Sequence, residues 1–438
     1  MTAYHLMSSP AEALQGDIVV PGDKSISHRS IMLGAIANGV TTVTGFLDGE
    51  DCMATLRAFQ SMGVLIEGPS SGRIVIHGAG KYGLKKPEQS IFCGNSGTTL
   101  RLMAGLLAGQ SFDSTLTGDE SLLKRPMERI SRPLQQMGAF ITTAQGCPPL
   151  HIKGGQILHG ITYEMPLASA QVKSCLLLAG LYAKGETRII EQGFSRDHTE
   201  RLLRTFSYPL QQSGHTIVLN GSSECQGTEV MVPGDLSSAA FFIVAATLVK
   251  GSNLLIRNVG INPTRTGILE ILKRMGADIK ITHQRLYGEE WVGDIQVKHA
   301  ELKGIDIPLD LVPLSIDEFP VILIAASCAK GKTYLQGAKE LRCKESDRIG
   351  AMAEGLQRLG IDVTVLEDGL LMEGGVLQGG VIDSRQDHRI AMAFAVAGSV
   401  AISPVTIRDC ANIVTSFPTF VTTAHQVRLQ IQEIHDAK

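Results

Sequence analysis

Short β-like runs alternate with longer helical runs along the whole chain, and two kinds of junction between them keep returning. In the first, a helix-like stretch ends in glycine and gives way to a β-like run. It occurs at Gln60-Ser61-Met62-Gly63-Val64-Leu65-Ile66, Gln135-Gln136-Met137-Gly138-Ala139-Phe140-Ile141, Gln211-Gln212-Ser213-Gly214-His215-Thr216-Ile217, Lys273-Arg274-Met275-Gly276-Ala277-Asp278-Ile279 and Gln357-Arg358-Leu359-Gly360-Ile361-Asp362-Val363. Glycine just past a helix end readily takes the left-handed conformation that closes the last turn. Gly63, Gly138, Gly214, Gly276 and Gly360 are therefore expected to mark helix-to-strand junctions. They lie roughly 60 to 85 residues apart, too regular for chance and too long for a solenoid repeat.

The second junction is a β-like run feeding a polar turn and then a helix. Its six instances are Pro21-Gly22-Asp23-Lys24-Ser25, Cys93-Gly94-Asn95-Ser96-Gly97-Thr98, Pro166-Leu167-Ala168-Ser169-Ala170-Gln171, Pro233-Gly234-Asp235-Leu236-Ser237-Ser238, Leu314-Ser315-Ile316-Asp317-Glu318-Phe319 and Asp383-Ser384-Arg385-Gln386-Asp387-His388-Arg389. The first and fourth are nearly the same words, Ile18-Val19-Val20-Pro21-Gly22-Asp23 against Val230-Met231-Val232-Pro233-Gly234-Asp235. This predicts two halves of three units each, with the chain crossing between domains at the duplicated Pro-Gly-Asp. The expected domains are 1–20 plus 241–438, and 21–240. Alternating helix and strand patterns make the class mixed α/β. The duplication favours two domains over one large sheet.

Composition fits that reading. A chain of 438 residues can build two or three cores. Hydrophobic content of 44% with 19% charged residues describes an ordinary globular protein, and a net charge of −3 gives no support for nucleic-acid or membrane-surface binding. The eight cysteines include no C-x-x-C pair, so they read as reduced thiols. The start of the chain lacks both a basic region and an apolar run, and the longest apolar run, Ala239 to Val249, is too short to span a bilayer. The expected location is the cytosol, and the expected state a monomer.

The polar turns carry the chemistry. A strand turning through Gly and Ser into a helix points free N–H groups and the positive end of the helix dipole at whatever lies above it. On or beside these turns stand Lys24, Arg29, Arg101, Arg125, Arg196, Lys344, Arg348 and Arg389, with Ser25, Asn95, Ser169 and Gln171 as short donors and Asp317, Glu345 and Asp347 as acids. A single arginine of this kind would be a surface ion pair of little energy. Eight cations at helix starts point to small, multiply charged anions, which the planar arginine fork binds through paired donors. No G-x-x-x-x-G-K-[ST], no G-x-G-x-x-G after a strand and no paired metal-ligand spacing occurs, so neither a nucleotide cofactor nor a metal is expected. His28, His198 and His388 each adjoin an Arg or Asp and read as hydrogen-bonded structural residues.

At this point the residues match a known family. The chain resembles 5-enolpyruvylshikimate 3-phosphate synthase over nearly its whole length. The resemblance rests on Gly22-Asp23-Lys24-Ser25-Ile26-Ser27-His28-Arg29, Gly94-Asn95-Ser96-Gly97-Thr98-Thr99-Leu100-Arg101, Lys124-Arg125-Pro126-Met127, Ser169-Ala170-Gln171-Val172-Lys173, Arg342-Cys343-Lys344-Glu345-Ser346-Asp347-Arg348 and Asp387-His388-Arg389-Ile390-Ala391-Met392, in the family's order. It implies two domains of three βαβαββ units each, an inside-out α/β barrel, with the active site where helix N-termini converge. It also implies transfer of the enolpyruvyl group of phosphoenolpyruvate to the 5-hydroxyl of shikimate 3-phosphate, with release of phosphate and no cofactor.

By position, Lys24, Gly97, Arg125, Arg348 and Arg389 resemble the family's phosphoenolpyruvate site. Lys24, Ser25, Arg29, Ser169, Ala170, Gln171, Arg196, Asp317 and Lys344 resemble its shikimate 3-phosphate site. Asp317 matches the base at the hydroxyl, and Glu345 and Lys24 match the groups that move protons at the methylene carbon and during elimination. Two departures stand out. Many members carry a Lys before the final Phe-Pro, whereas here the stretch is Ile413-Val414-Thr415-Ser416-Phe417-Pro418. Arg196-Asp197-His198-Thr199-Glu200, Ser169-Ala170-Gln171-Val172-Lys173 and Asn262-Pro263-Thr264-Arg265 resemble the glyphosate-tolerant branch, yet Gly97 matches sensitive members, so intermediate to sensitive behaviour is expected. The alternatives are the sister enzyme that uses UDP-N-acetylglucosamine, which has Lys-Asn where this chain has Lys24-Ser25, and a non-catalytic anion-binding protein of the same fold.

Overall fold

The computed structural model describes residues 4–435. Twelve helices lie within them: α1 Lys24–Ile36, α2 Glu50–Ser61, α3 Gly97–Ala108, α4 Glu128–Gln136, α5 Ala170–Gly180 and α6 His198–Thr205, then α7 Leu236–Leu248, α8 Gly267–Met275, α9 Phe319–Ser327, α10 Arg348–Arg358, α11 His388–Gly398 and α12 Phe420–Gln426. Each of the six polar turns opens one of the odd-numbered helices. These helices are buried nearly all round; α7 and α9 are also apolar nearly all round, as in Phe241-Phe242-Ile243-Val244-Ala245-Ala246 of α7, while α1 and α5 bury polar residues in their first turns.

One repeat shows how the rest are built. The strand Ile91–Phe92, α3, the strand Ser114–Thr117, α4 and the hairpin Phe140–Ala144/Cys147–Lys153 make one βαβαββ unit. The first two strands pair parallel, Ile91 opposite Leu116, and the hairpin adds antiparallel, Leu116 opposite Leu150. Thr162–Glu164, α5, Glu186–Ile190, α6 and Leu210–Ser213/Thr216–Asn220 repeat the pattern. Residues along the hairpins alternate between buried and exposed, which puts one face of each sheet on the core and the other in solvent. Helices inside and sheets outside make an inside-out α/β arrangement.

The chain divides into two compact units, one of residues 1–21, 233–285 and 291–438, the other of 22–232 and 286–290. Each has its own core, around α7, α9 and α11 in the first and around α1, α3 and α5 in the second. The duplicated segments feed helices in one unit from sheets in the other. Gln15–Val19 pairs parallel with Asn253–Gly260, Ile18 opposite Ile256, and then leads into α1. Glu229–Met231 pairs parallel with Asn38–Thr44, Val230 opposite Val43, and then leads into α7.

Two details differ from the sequence reading. Gly214 is not a helix end: it turns the hairpin between Leu210–Ser213 and Thr216–Asn220. Helix α6 ends at Thr205, and Ser207, with φ of 60°, supplies the left-handed residue that the glycine was expected to provide. The other four glycines, at 63, 138, 276 and 360, do follow helices at positive φ. The turn before α9 is not fed by a full strand, because pairing there shrinks to bridges of Lys303 with Lys330 and Asp306 with Tyr334. Pro308 and Pro313 in that stretch have no N–H to donate to a ladder.

No helix among the described residues is long and apolar enough to cross a membrane. The core helices pack at near-backbone contact. A Cβ on Gly105 of α3 would lie 2.0 Å from the Cys175 carbonyl oxygen of α5. Gly105→Ala is expected to cost about 1–3 kcal/mol by overpacking, read as a lowered urea midpoint; an unchanged midpoint would contradict this packing.

Candidate active site

In the second unit the starts of α1, α3 and α5 are capped by short polar side chains. Asp23 accepts from Ile26 N at 2.9 Å, Ser96 from Thr99 N at 3.0 Å, and Ser169 is the corresponding cap of α5. The caps satisfy one orphan donor each and fix the direction in which the first turn points. Around these turns stand the predicted cations. Lys24 Nζ lies 2.9 Å from Asp51 Oδ2. Arg29 is buried and donates through Nε to Thr199 Oγ1 at 2.7 Å, through Nη2 to Ser174 Oγ at 2.8 Å and through Nη1 to Ser25 O at 2.9 Å. All three partners are neutral. Burial pulls the guanidinium down to about 10, with Glu200 and Asp23 pulling the other way and the half-buried Arg196 adding repulsion. A buried cation beside a second cation, hydrogen-bonded only by neutral groups, is suited to receive an anion.

Arg125 is buried beside α3 and donates through Nη2 to Asn95 Oδ1 at 3.0 Å. Asn95 in turn donates to Asp119 at 2.7 Å. A Cβ on Gly97 would lie 3.0 Å from both Arg101 Nη1 and Arg125 Nη1. Glycine at the first position of α3 thus lets two guanidinium groups sit against the helix start. Arg101 Nη1 donates to Gln171 Oε1 at 2.6 Å, and Gln171 Nε2 donates to Thr98 Oγ1 at 3.0 Å, which joins α3 to the start of α5. Lys24, Ser25, Arg29, Gly97, Arg125, Ser169, Ala170, Gln171 and Arg196 all belong to this unit.

In the first unit the predicted residues form one charged cluster. Arg348 is 1% exposed. Its Nε donates to Asp387 Oδ2 at 2.8 Å, its Nη2 to Glu345 Oε2 at 2.5 Å, and its Nη1 approaches Asp317 Oδ1 at 3.4 Å. Burial alone would lower the Arg348 pKa, but Asp387, Glu345 and Asp317 outweigh it and hold the group well above its ordinary value. Lys344 Nζ lies 3.4 Å from Asp317 Oδ1 and 3.0 Å from Glu340 Oε1. Arg389 Nη1 donates to Asp317 O at 3.0 Å. Asp387 also accepts from Arg389 N at 2.9 Å and from Ser346 Oγ at 3.0 Å, so the same carboxylate caps α11 and fixes Arg348. Arg385 and Gln386, at φ of 56° and 55°, make a strained turn that delivers Asp387 to the helix start.

Some working parts were not singled out beforehand. Asp51 is nearly buried and carries no signal in the sequence beyond its acidic neighbours. Lys173 was read only as the end of the Ser169-Ala170-Gln171-Val172-Lys173 motif; its place in the largely apolar helix α5 was a further clue. Arg265, in the Asn262-Pro263-Thr264-Arg265 stretch, is buried against Asp235 at 3.0 Å and Ser237 Oγ at 2.6 Å, and lies 3.6 Å from Glu318, next to Asp317. Before Phe417-Pro418, where the resemblance led one to expect a Lys, residues Ala411–Thr415 form a 3-10 turn from which Asn412 donates to Gln386 O, beside Asp387. Among the described residues no group of three or more His, Cys, Asp or Glu could hold a metal ion.

The repeats and the two sets of charged helix starts define an enolpyruvyl-transferase fold. The enolpyruvyl transferase NikO from Streptomyces tendae shares it at a TM-score of 0.82 over 100% of both chains, though at 16% identity, a likeness of fold alone. The chain belongs to the EPSP synthase (3-phosphoshikimate 1-carboxyvinyltransferase) family, whose sequence model matches residues 9–423. It is 66% identical to the 3-phosphoshikimate 1-carboxyvinyltransferase of Legionella pneumophila strain Corby over 98% of this chain and 99% of that protein. It is 58% identical to the enzyme of the same name from Nitrosococcus oceani over 97% of this chain and 96% of that protein. EPSP synthase from Acinetobacter baumannii matches in structure at a TM-score of 0.88 and 52% identity, covering 99% of this chain and 100% of that one.

His28 gives the site a pH signature. Its Nδ1 is 2.8 Å from Thr55 Oγ1, and burial, with Lys24 and Arg29 adding repulsion, holds its pKa well below 6.5. The folded protein keeps the ring neutral while the unfolded chain takes up a proton below about pH 6.5, so stability is present above that pH and falls below it. Between pH 6.5 and 5.5 the wild type should lose up to about 1.4 kcal/mol more than His28→Gln, measured by urea unfolding. Parallel pH profiles of the two would contradict a neutral buried ring.

Proposed function

We infer that the chain catalyses the reaction of its family, moving the carboxyvinyl group of phosphoenolpyruvate onto shikimate 3-phosphate with release of phosphate, and we propose how its residues divide the work. Each substrate carries a carboxylate and a phosphate, roughly −2.5 to −3 of charge near neutral pH. Holding both away from water requires fixed cations already in place. On this reading Lys24, Arg125, Arg348 and Arg389, with the space at Gly97, receive phosphoenolpyruvate. Ser25, Arg29, Ser169, Ala170, Gln171, Arg196 and Lys344 receive shikimate 3-phosphate.

The observation that carries the reading is the bridging of Asp317 and Glu345 by one buried guanidinium, Arg348. The reaction needs two proton movements that must not interfere. As the 5-hydroxyl oxygen bonds to C2 of phosphoenolpyruvate, its proton passes to Asp317, and the methylene carbon gains a proton from Glu345. In the elimination the methyl group returns a proton to Glu345 while the C2–O bond to phosphate breaks. Lys24 stabilises the departing phosphate, which takes up the proton that Asp317 had accepted and so restores the carboxylate. Arg348 keeps the two carboxylates in fixed relative positions, and Lys344 and Arg389 hold Asp317 from either side.

Eight scattered cysteines with no C-x-x-C spacing fit a reducing compartment such as the cytosol. Steady-state phosphate release should require both substrates, and Asp317→Asn and Glu345→Gln should each lower kcat by about 10²- to 10⁴-fold. Turnover in either variant at the wild-type rate, or release with phosphoenolpyruvate alone, would overturn the assignment. Gly97→Ala should raise the KM for phosphoenolpyruvate about 3- to 10-fold, since its methyl presses on Arg101 and Arg125, and should weaken inhibition by glyphosate. An unchanged KM would remove Arg125 from the phosphoenolpyruvate site.

A further inference from the structure

The residues assigned above leave unexplained the most deeply buried charges of the second unit. Lys173 of α5 is 0% exposed. Its Nζ lies 2.9 Å from Glu191 Oε2 and 2.7 Å from Glu200 Oε1, and donates to Ser195 O at 3.3 Å. Ser195 Oγ donates to the other carboxylate oxygen of Glu191. One ammonium group thereby ties three pieces of chain together: α5, which begins at Ala170 behind its cap Ser169; the loop from Glu191 that ends on Arg196; and α6. The next residue on α5 and the preceding one on α6 repeat the tie. Thr199 Oγ1 donates to Ser174 Oγ at 2.7 Å, and both oxygens accept from Arg29.

A cluster of this kind is a poor way to gain stability. Each buried ion costs several kcal/mol in lost hydration, and well-packed apolar side chains of similar volume often do as well or better. It is an effective way to hold geometry, because an ammonium flanked by two carboxylates tolerates few arrangements. The charges also balance outward: Lys173 against Glu191 and Glu200 leaves one negative charge, which matches the positive charge of Arg29. Glu200 favours the charged form of Arg29 while Arg196 opposes it.

We propose that Lys173, Glu191 and Glu200 are positioning residues for shikimate 3-phosphate, fixing the loop that presents Arg196 and the α5–α6 pair that aims Arg29. This rests on the assignment of Arg29 and Arg196 to that substrate. The three residues do not touch the reacting atoms. Their effect falls mainly on one substrate, since the three residues contact the α5–α6 pair and the Arg196 loop directly, whereas Arg125 and Gly97 are reached only through the packing of α3 on α5.

The test is steady-state phosphate release by Lys173→Met and by the neutral triple variant Lys173→Met/Glu191→Gln/Glu200→Gln, with folding checked by thermal melting. The triple variant removes all three charges together, so it stays folded where the single one, left with two unpaired buried carboxylates, can fail. The expected result is a roughly tenfold or greater rise in the KM for shikimate 3-phosphate, because a small misplacement of a clamp is amplified in binding, with the KM for phosphoenolpyruvate and kcat nearly unchanged. A folded triple variant with both KM values at wild type, or with both raised alike, overturns the proposal. Arg29→Ala and Arg196→Ala run in parallel separate the two levels. If neither raises the KM for shikimate 3-phosphate, the assignment beneath the proposal fails. If they do and the triple variant does not, the positioning role fails alone.

Discussion

The ion pair between Arg348 and Asp387 is the interaction on which the first unit's site depends. Arg348 is 1% exposed, and Asp387 offsets the cost of burying its charge with a carboxylate at 2.8 Å. Asp387 reaches that position because it is also the cap of α11, held by Arg389 N. One carboxylate therefore joins a helix start, a buried cation and, through that cation, the carboxylates of Asp317 and Glu345. The strained Arg385-Gln386 turn belongs to the same device, since it brings the cap to the helix.

The two units solve different halves of one electrostatic problem. In the second, Arg29 is hydrogen-bonded by hydroxyl and carbonyl groups, and no carboxylate among the described residues occupies its donors. In the first, Arg348 is compensated by carboxylates, so its role is to fix acids in place. The same repeat, a strand feeding a capped helix, yields both results. What changes is whether the residues facing the cation are neutral or acidic.

Much of this was legible in the sequence because the repeat is written in backbone chemistry. The six polar turns predicted six helix starts, and α1, α3, α5, α7, α9 and α11 begin at them. Gly63, Gly138, Gly276 and Gly360 predicted helix ends for the same reason, a left-handed residue being needed after the last turn. Gly214 misled because a tight hairpin needs that conformation as well, and Ser207 closed α6 without glycine. The exchange of Gln15–Val19 and Glu229–Met231 between sheets was hinted at by the duplicated Pro-Gly-Asp, but strand partners depend on contacts distant in sequence. For the same reason motif reading brought out Arg348, Glu345 and Arg389 but not Asp51 or Glu191, and it gave Glu200 only as the last residue of a motif, without a partner. An acid that neutralises a buried cation is recognisable only once folding has put it beside one.

The most direct measurement is the kinetics of phosphate release by Asp387→Asn, with binding of each substrate measured separately. Asparagine keeps an oxygen to cap α11 and removes only the charge that fixes Arg348. If that charge organises the site, kcat/KM for phosphoenolpyruvate falls about 10- to 100-fold, while shikimate 3-phosphate still binds through the second unit. A folded variant with kcat/KM unchanged would contradict the account at its centre.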